Sequence, residues 1–257
     1  MRPLYPYQLY RNRAFALPAT IMLIEETCFV SIIFTTIFFL QQQLHYTPLQ
    51  AAQLMIPAAI VSGALGVWSG RLSDRMPAQI LIALDLALET WCLFQFATIT
   101  PWTSAWVLIF WLAFRQVARS FRAAPLLAIS MRSLMASELR MGSGLLSLNR
   151  GIAGACGVAI SAAILQHRTA GYTSHLGQTL AISSYGQDQL VQRLTTMFEN
   201  TGDFHTLAAA KSHATLHHLL HLEASLHSYH DMFLLVGWIS ALCIVPNLWM
   251  RGDQSQK

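Results

Sequence analysis

Residues 48–70 carry no charged side chain, and the turn that follows them holds Arg71, Asp74 and Arg75. A helix of 23 residues is ~35 Å long, which is enough to cross a hydrocarbon core of ~30 Å. Ala and Gly are frequent in this stretch, and such small residues let neighbouring helices approach closely. The stretch therefore predicts a membrane-spanning helix in a packed bundle, and the charged turn marks one membrane face.

The composition of the whole chain agrees with a location in a lipid bilayer. Hydrophobic residues make up 54% and charged residues 11% of its 257 residues, and the mean hydropathy is +0.44. A soluble domain of this size carries about twice as many charges. The net charge of +4 is spread over short segments between apolar stretches, which argues against a nucleic-acid partner. The four cysteines lie within these stretches, so the pattern favours neither a disulfide framework nor a thiolate metal site.

Six apolar stretches are long enough to cross a membrane. They predict an all-α integral membrane protein, a bundle of six transmembrane helices. In this interpretation residues 1–166 hold five spans, 167–229 form a long loop, 230–250 form the sixth span and 251–257 are a tail. The six predicted spans are residues 14–40, 48–70, 78–99, 102–128, 142–166 and 230–250.

The distribution of Arg and Lys predicts the orientation of the bundle. The turns at 41–47 and 100–101 contain no Arg or Lys, whereas the segments on the opposite side do. Because positive residues favour the cytoplasmic side, both termini are predicted to be cytoplasmic in a multi-pass protein of the inner membrane. The inward basic residues are Arg2, Arg11, Arg13, Arg71, Arg75, Arg132, Arg140, Arg251 and Lys257.

The predicted extracytoplasmic loop at 167–229 is rich in histidine, because nine of the ten histidines follow residue 166. His213, His217 and His221 recur every four residues on a predicted helix that runs into the sixth span, and such a stripe can bind zinc or copper. A second helical stretch at 187–200 is amphipathic and suits the membrane surface. Polar loops also contain histidine without binding metal, so a metal site is an alternative interpretation only.

Glu25 and Glu26 lie near the middle of the first predicted span. An ionised carboxylate at that depth costs several kcal/mol, so each must be neutral, paired or in contact with water. One of them is a candidate for the group that loads and releases a proton, and the alternative is a purely structural hydrogen bond. Adjacent residues of a helix point about 100° apart, which predicts that the two do not serve the same cavity.

Two further charged stripes follow in the third and fourth spans. Asp85 and Glu89 are four residues apart and share one helix face, while Arg115, Arg119 and Arg122 form a second stripe. The carboxylates are candidate proton or cation sites, or they pair with the arginines of the neighbouring span. In either interpretation these two helix faces point away from lipid. If the arginines instead line a water-filled cavity, they favour an anionic substrate.

The fifth span contains small residues at regular spacing. Gly151, Ala155, Ala159 and Ala163 recur every four residues, which favours close packing against another helix. Arg150 precedes this stripe and is expected to anchor the span at the cytoplasmic interface. The predicted packing set is Arg150, Gly151, Gly154, Ala155, Gly157 and Ala159.

Several segments together resemble one transporter family. Residues 39–75, FLQQQLHYTPLQAAQLMIPAAIVSGALGVWSGRLSDR, are similar to the first hairpin of the C-terminal half of the fourteen-span drug:proton antiporters, the EmrB/QacA branch of the major facilitator superfamily. The RNRAF segment at 11–15 resembles the lead-in to that half. The closing segment of that half of the family resembles the part of this chain that contains Gln116, Pro125, Asn149-Arg150, Ala153-Gly154 and Gly157.

The resemblance implies a function as well as a fold. Such proteins expel lipophilic drugs or organic ions by alternating access of two six-helix bundles, in exchange for protons on buried carboxyls, without enzymatic chemistry or a cofactor. The chain covers only the C-terminal six spans, which implies a separate N-terminal half or a second copy as partner. The resemblance assigns Gly70, Arg71, Asp74 and Arg75 to a cytosolic gating turn, although Met76 and Pro77 replace the expected Gly and basic residues. The alternatives are a truncated, non-transporting fragment and a membrane protein that senses or exports metal through its histidines.

Overall fold

The computed structural model describes residues 10, 13–73, 76–132, 134, 138–182, 184–200 and 204–249. Every long regular element in these ranges is an α-helix, which confirms the predicted all-α class. The seven helices are α1 Arg13–Gln42, α2 Pro48–Ser73, α3 Ala78–Phe96, α4 Ala105–Arg132, α5 Leu139–Ile182, α6 Ser184–Asn200 and α7 His205–Trp249.

Five of the described helices are long and apolar enough to cross a membrane. They are α1, α2, α3, α5 and α7, and each overlaps one of the predicted spans. The remaining predicted span falls in α4, which has 28 residues and is therefore ~42 Å long. Its length is sufficient, but three arginines in its middle reduce its hydropathy.

Helices α5 and α7 extend well beyond the predicted apolar stretches. They have 44 and 45 residues, so most of the segment expected as a loop is helical. The agreement is good for α7, which runs as one helix from the histidine-rich stretch into the last apolar stretch, as the sequence predicts. The chain divides into two compact units, one formed by residues up to Ser161 and from Phe233 onwards, the other by Ala162–Met232.

In the first unit, α4 packs against α1, α2 and α3. This arrangement gives the arginine-bearing helix three helical neighbours. The buried cluster at one end of the unit comprises Phe15, Ala19, Ile21, Met22, Ile82, Leu86, Leu126, Leu145, Leu146 and Cys243.

Three aromatic rings join α1, α3 and α7 at another level of the same unit. The ring of Phe233 lies 6.5 Å from that of Phe39 and 5.3 Å from that of Phe96. All three rings are buried. Such edge-on and tilted ring pairs are worth about 0.5–1.5 kcal/mol beyond the area that they bury.

Helices α1 and α5 approach most closely at Gly157. A Cβ atom at this position would lie 2.8 Å from the backbone oxygen of Thr27 and 3.0 Å from the Cβ of Val30. The hydroxyl of Ser31 donates a hydrogen bond of 3.2 Å to the carbonyl oxygen of Gly157. Only glycine fits this crossing without a shift of one helix.

Within the described part of the chain, α5 packs against α1 through Gly157 of the predicted packing set, while packing through the stripe of Gly151, Ala155 and Ala159 stays a prediction. Gly151, Ala155 and Ala159 are exposed, whereas Gly157 and its neighbour one turn away, Ala153, are buried. No described atom lies within 4 Å of a Cβ added at Gly151 or Gly154. The spacing of small residues is the same on both faces, so the pattern alone does not distinguish them.

In the second unit, polar contacts join the end of α5 to α7. Asp231 accepts hydrogen bonds from the Arg168 guanidinium at 3.0 Å and from the Tyr172 hydroxyl at 2.7 Å. One turn away, the hydroxyls of Thr169 and Ser228 are 3.0 Å apart. Helix α6 is joined to α7 by a buried bond between Thr195 and Ser212. That bond is 3.0 Å long.

Candidate functional site

Arg122 of α4 lies at the centre of the charged residues in the first unit. Its Nη1 atom is 3.2 Å from Asp85 Oδ2 and 3.1 Å from Glu89 Oε2, both on α3. The same atom donates a hydrogen bond to Glu25 Oε2 of α1. One guanidinium nitrogen thus contacts three carboxylates from two helices.

The hairpin formed by α3 and α4 explains why these groups meet. Asp85 and Glu89 are one turn apart on α3, and Arg115 and Arg122 are two turns apart on α4. Because the two helices run in opposite directions, Glu89 faces both arginines, and its Oε1 atom lies 3.9 Å from Arg115 Nη1. The carboxylates of α3 are thus paired with the arginines of α4, which is the second of the two interpretations given for these stripes.

Glu26, the other carboxylate of α1, meets different arginines. Its Oε2 atom accepts a hydrogen bond of 2.9 Å from Arg119 Nη2, and its Oε1 atom is 3.9 Å from Arg150 Nε of α5. The Arg119 guanidinium also lies over the ring of Phe29, which adds a cation–π contact. Glu26 therefore links α1 to both α4 and α5.

Burial divides these eight charged residues into two groups. We call the first the sealed cluster, since its side chains are at most 5% exposed. We call the second the open cluster, since Glu26 and Arg119 are 22% exposed and Arg150 is 51% exposed. With every group ionised the sealed cluster has a formal charge of −1 and the open cluster +1. The sealed cluster is Glu25, Asp85, Glu89, Arg115 and Arg122, and the open cluster is Glu26, Arg119 and Arg150.

Several polar atoms of both clusters have no hydrogen-bond partner among the described residues. They include both carboxylate oxygens of Asp85, Oε1 of Glu25 and of Glu89, and nitrogen atoms of Arg115 and Arg119. Unpaired buried polar atoms are uncommon in folded proteins and are concentrated at functional sites. The clusters thus retain free acceptors for a proton and free donors for an anion.

A small recess lies where the two clusters meet. Its volume is about 40 Å³, room for a few water molecules. Glu25 and Glu26 both line it, so the expectation that they serve different cavities is wrong. The reason is that both carboxylates turn towards arginines of α4, since Arg122 contacts Glu25 and Arg119 contacts Glu26. The lining residues are Met22, Glu25, Glu26, Arg119, Arg122, Leu126 and Arg150.

Arg150, expected to anchor α5 at the cytoplasmic interface, has a partner that the sequence did not predict. It lies three turns after Leu139, where α5 begins. It contacts Glu26 and lines the recess. A signal for this partner was the charge balance, since Glu25, Glu26, Asp85 and Glu89 outnumber the three arginines of α4.

Among the described residues, the other predicted site residues are not members of these clusters. Gly70 and Arg71 belong to the last turns of α2, and Arg71 is exposed, whereas Asp74 and Arg75 lie outside the described residues. His213, His217 and His221 are exposed on α7. In the described part of the chain no three His, Cys, Asp or Glu side chains are grouped so as to hold a metal ion.

The chain is similar in sequence to known proteins. No family model matches the chain. It is 21% identical over 262 residues to the uncharacterized MFS-type transporter YhcA of Bacillus subtilis, covering 99% of this chain and 48% of the relative. It is 26% identical over 172 residues to the uncharacterized MFS-type transporter Rv1250 of Mycobacterium tuberculosis, covering 65% of this chain and 29% of the relative.

These similarities support a relationship to the major facilitator superfamily, since both relatives are named MFS-type transporters. The chain spans about half the length of the first relative and less than a third of the second. The two similarities and the apolar helices together indicate a multi-pass protein of a lipid bilayer.

Proposed function

We propose that the chain acts as the C-terminal half of a proton-coupled efflux transporter for drugs or organic ions. In this proposal it resides in the inner membrane with both termini in the cytoplasm. A separate N-terminal half, or a second copy of the chain, supplies the other wall of the transport path. Two bundles then alternate between inward-open and outward-open arrangements around the charged clusters.

The observation that carries the proposal is the contact of Arg122 with three carboxylates. These contacts join α1 and α3 to α4. A proton on one carboxylate removes one of the ionic attractions that hold these helices together, so proton binding and helix arrangement are linked. Intramembrane ionisable groups in such pairs are typical of proton relays in transporters.

The open cluster indicates which face of the bundle borders the transport path. Arg150 is half-exposed in the interior of α5, and Glu26 beside it is partly exposed. A charged side chain at this depth does not face hydrocarbon without a large cost in free energy. The face that bears Arg150 is therefore the one that we assign to the aqueous path between the two halves.

Everted membrane vesicles from the source organism test this proposal, because any partner chain is present in them. An acidic vesicle interior should drive uptake of a fluorescent organic ion in vesicles that contain the chain, and a proton ionophore should abolish the uptake. Vesicles from a strain without the gene are the control. Equal uptake in both vesicle preparations would contradict the proposal and favour a non-transporting fragment.

A further inference from the structure

The open cluster contains one more guanidinium than carboxylate. We propose that it binds the anionic headgroup of an amphiphilic organic acid, and that such acids are the substrate class of the chain. This inference rests on the proposed transport function and narrows it, since it selects organic anions over the lipophilic cations that the same class of transporter also expels.

The hydrogen bonds within the open cluster leave donors free. Arg119 uses its Nη2 atom for Glu26, and its buried Nη1 atom has no hydrogen-bond partner among the described residues. Arg150 is 3.9 Å from Glu26 through Nε, and its side chain is 51% exposed. Guanidinium groups present paired N–H donors whose geometry matches a carboxylate, so two of them at one opening favour an anion.

The distribution of charge disfavours a cation at the same place. Asp85 and Glu89 are buried and do not line the recess, and Glu25 is bonded to Arg122. The one carboxylate at the opening, Glu26, lies between Arg119 and Arg150. An entering cation therefore meets two guanidinium groups and one carboxylate, a net positive charge, and like charges in a partly desolvated site repel strongly.

The size of the recess limits what enters it. Its volume of about 40 Å³ is room for a few water-sized groups. A headgroup of a few non-hydrogen atoms fits, whereas an aromatic ring does not. Met22 and Leu126 provide apolar walls beside the arginines. This combination suits a carboxylate whose apolar body remains outside the recess, along the face of α5.

Three probes with one skeleton test the inference: 4-phenylbutanoate, its neutral amide and 4-phenylbutylammonium. Equilibrium dialysis of each against the full chain in lipid nanodiscs gives its affinity. We expect the carboxylate to bind at least about tenfold more tightly than the amide, as for a charged hydrogen-bond partner, and the ammonium probe to bind most weakly. Arg150→Gln should remove most of the preference for the carboxylate, and Glu26→Gln should increase it.

Arg140→Gln is the matched control, because Arg140 is an exposed arginine of α5 that does not line the recess. It should leave all three affinities unchanged. Equal binding of acid and amide, tighter binding of the ammonium probe, or no binding of any probe would overturn the anion site. The uptake measurement in vesicles is independent of these results, so the proposed transport function stands or falls separately.

Discussion

Replacement of Arg122 by methionine should destabilise the protein more than replacement of any exposed arginine in the described helices. The change leaves Glu25, Asp85 and Glu89 buried without the guanidinium that contacts all three. Breaking a buried ionic group by removing one partner costs about 3–5 kcal/mol. The purified protein is heated in detergent, and size-exclusion chromatography measures the fraction that stays folded at each temperature, which reports this loss of stability. Arg71→Met, at an exposed position of α2, is the control.

A second variant separates the charge effect from a loss of packing. Combining Arg122→Met and Arg115→Met with Glu25→Gln, Asp85→Asn and Glu89→Gln neutralises the whole sealed cluster, and we expect it to recover most of the lost stability. Replacement of a whole buried ionic cluster by neutral groups is often close to neutral in stability. Similar melting temperatures for Arg122→Met and the wild type, or no recovery in the combined variant, would contradict the assigned role.

Gly157→Leu should produce the largest effect among the glycine substitutions of α5. Its Cβ would lie 2.8 Å from the Thr27 oxygen, so α1 and α5 must separate, and the Ser31 hydrogen bond to Gly157 lengthens or breaks. Overpacking of this kind costs about 1–3 kcal/mol. The same unfolding measurement reports it.

Gly154→Leu is the matched control for this crossing, since no described atom lies within 4 Å of a Cβ at that position. It should be neutral or stabilising, because replacing a helical glycine by a good helix former is favourable by about 1 kcal/mol. If the two variants have the same stability, the close crossing of α1 and α5 at Gly157 is wrong.

The charged residues made the site partly predictable from sequence. Asp85 and Glu89, spaced by four, and the arginine stripe define faces that cannot contact lipid, so their pairing could be expected. The contact of Glu26 with Arg150 could not be expected, because Arg150 is 124 positions further along the chain and no local pattern relates the two. Only the need for charge balance indicated it.

The rotation of the apolar helices was not predictable for a different reason. In a bilayer, lipid and helix partners are both apolar, so the pattern of hydrophobic residues does not distinguish the lipid face from the packing face. Gly154 and Gly157 both lie in small-residue patterns, yet only Gly157 lies at a helix crossing. The helical extension of α5 was underestimated because its polar composition is also typical of loops.

The most direct measurement follows protons and substrate together in everted vesicles. In the wild type, adding a substrate should dissipate an imposed acidic interior, as reported by a pH-sensitive dye, because each transported molecule is exchanged for protons. The combined variant of Arg115, Arg122, Glu25, Asp85 and Glu89 should lose this proton movement, whereas Glu223→Gln, at an exposed carboxylate of α7, should retain it. Undiminished substrate-dependent proton movement in a folded combined variant would contradict the assignment of proton coupling to the sealed cluster.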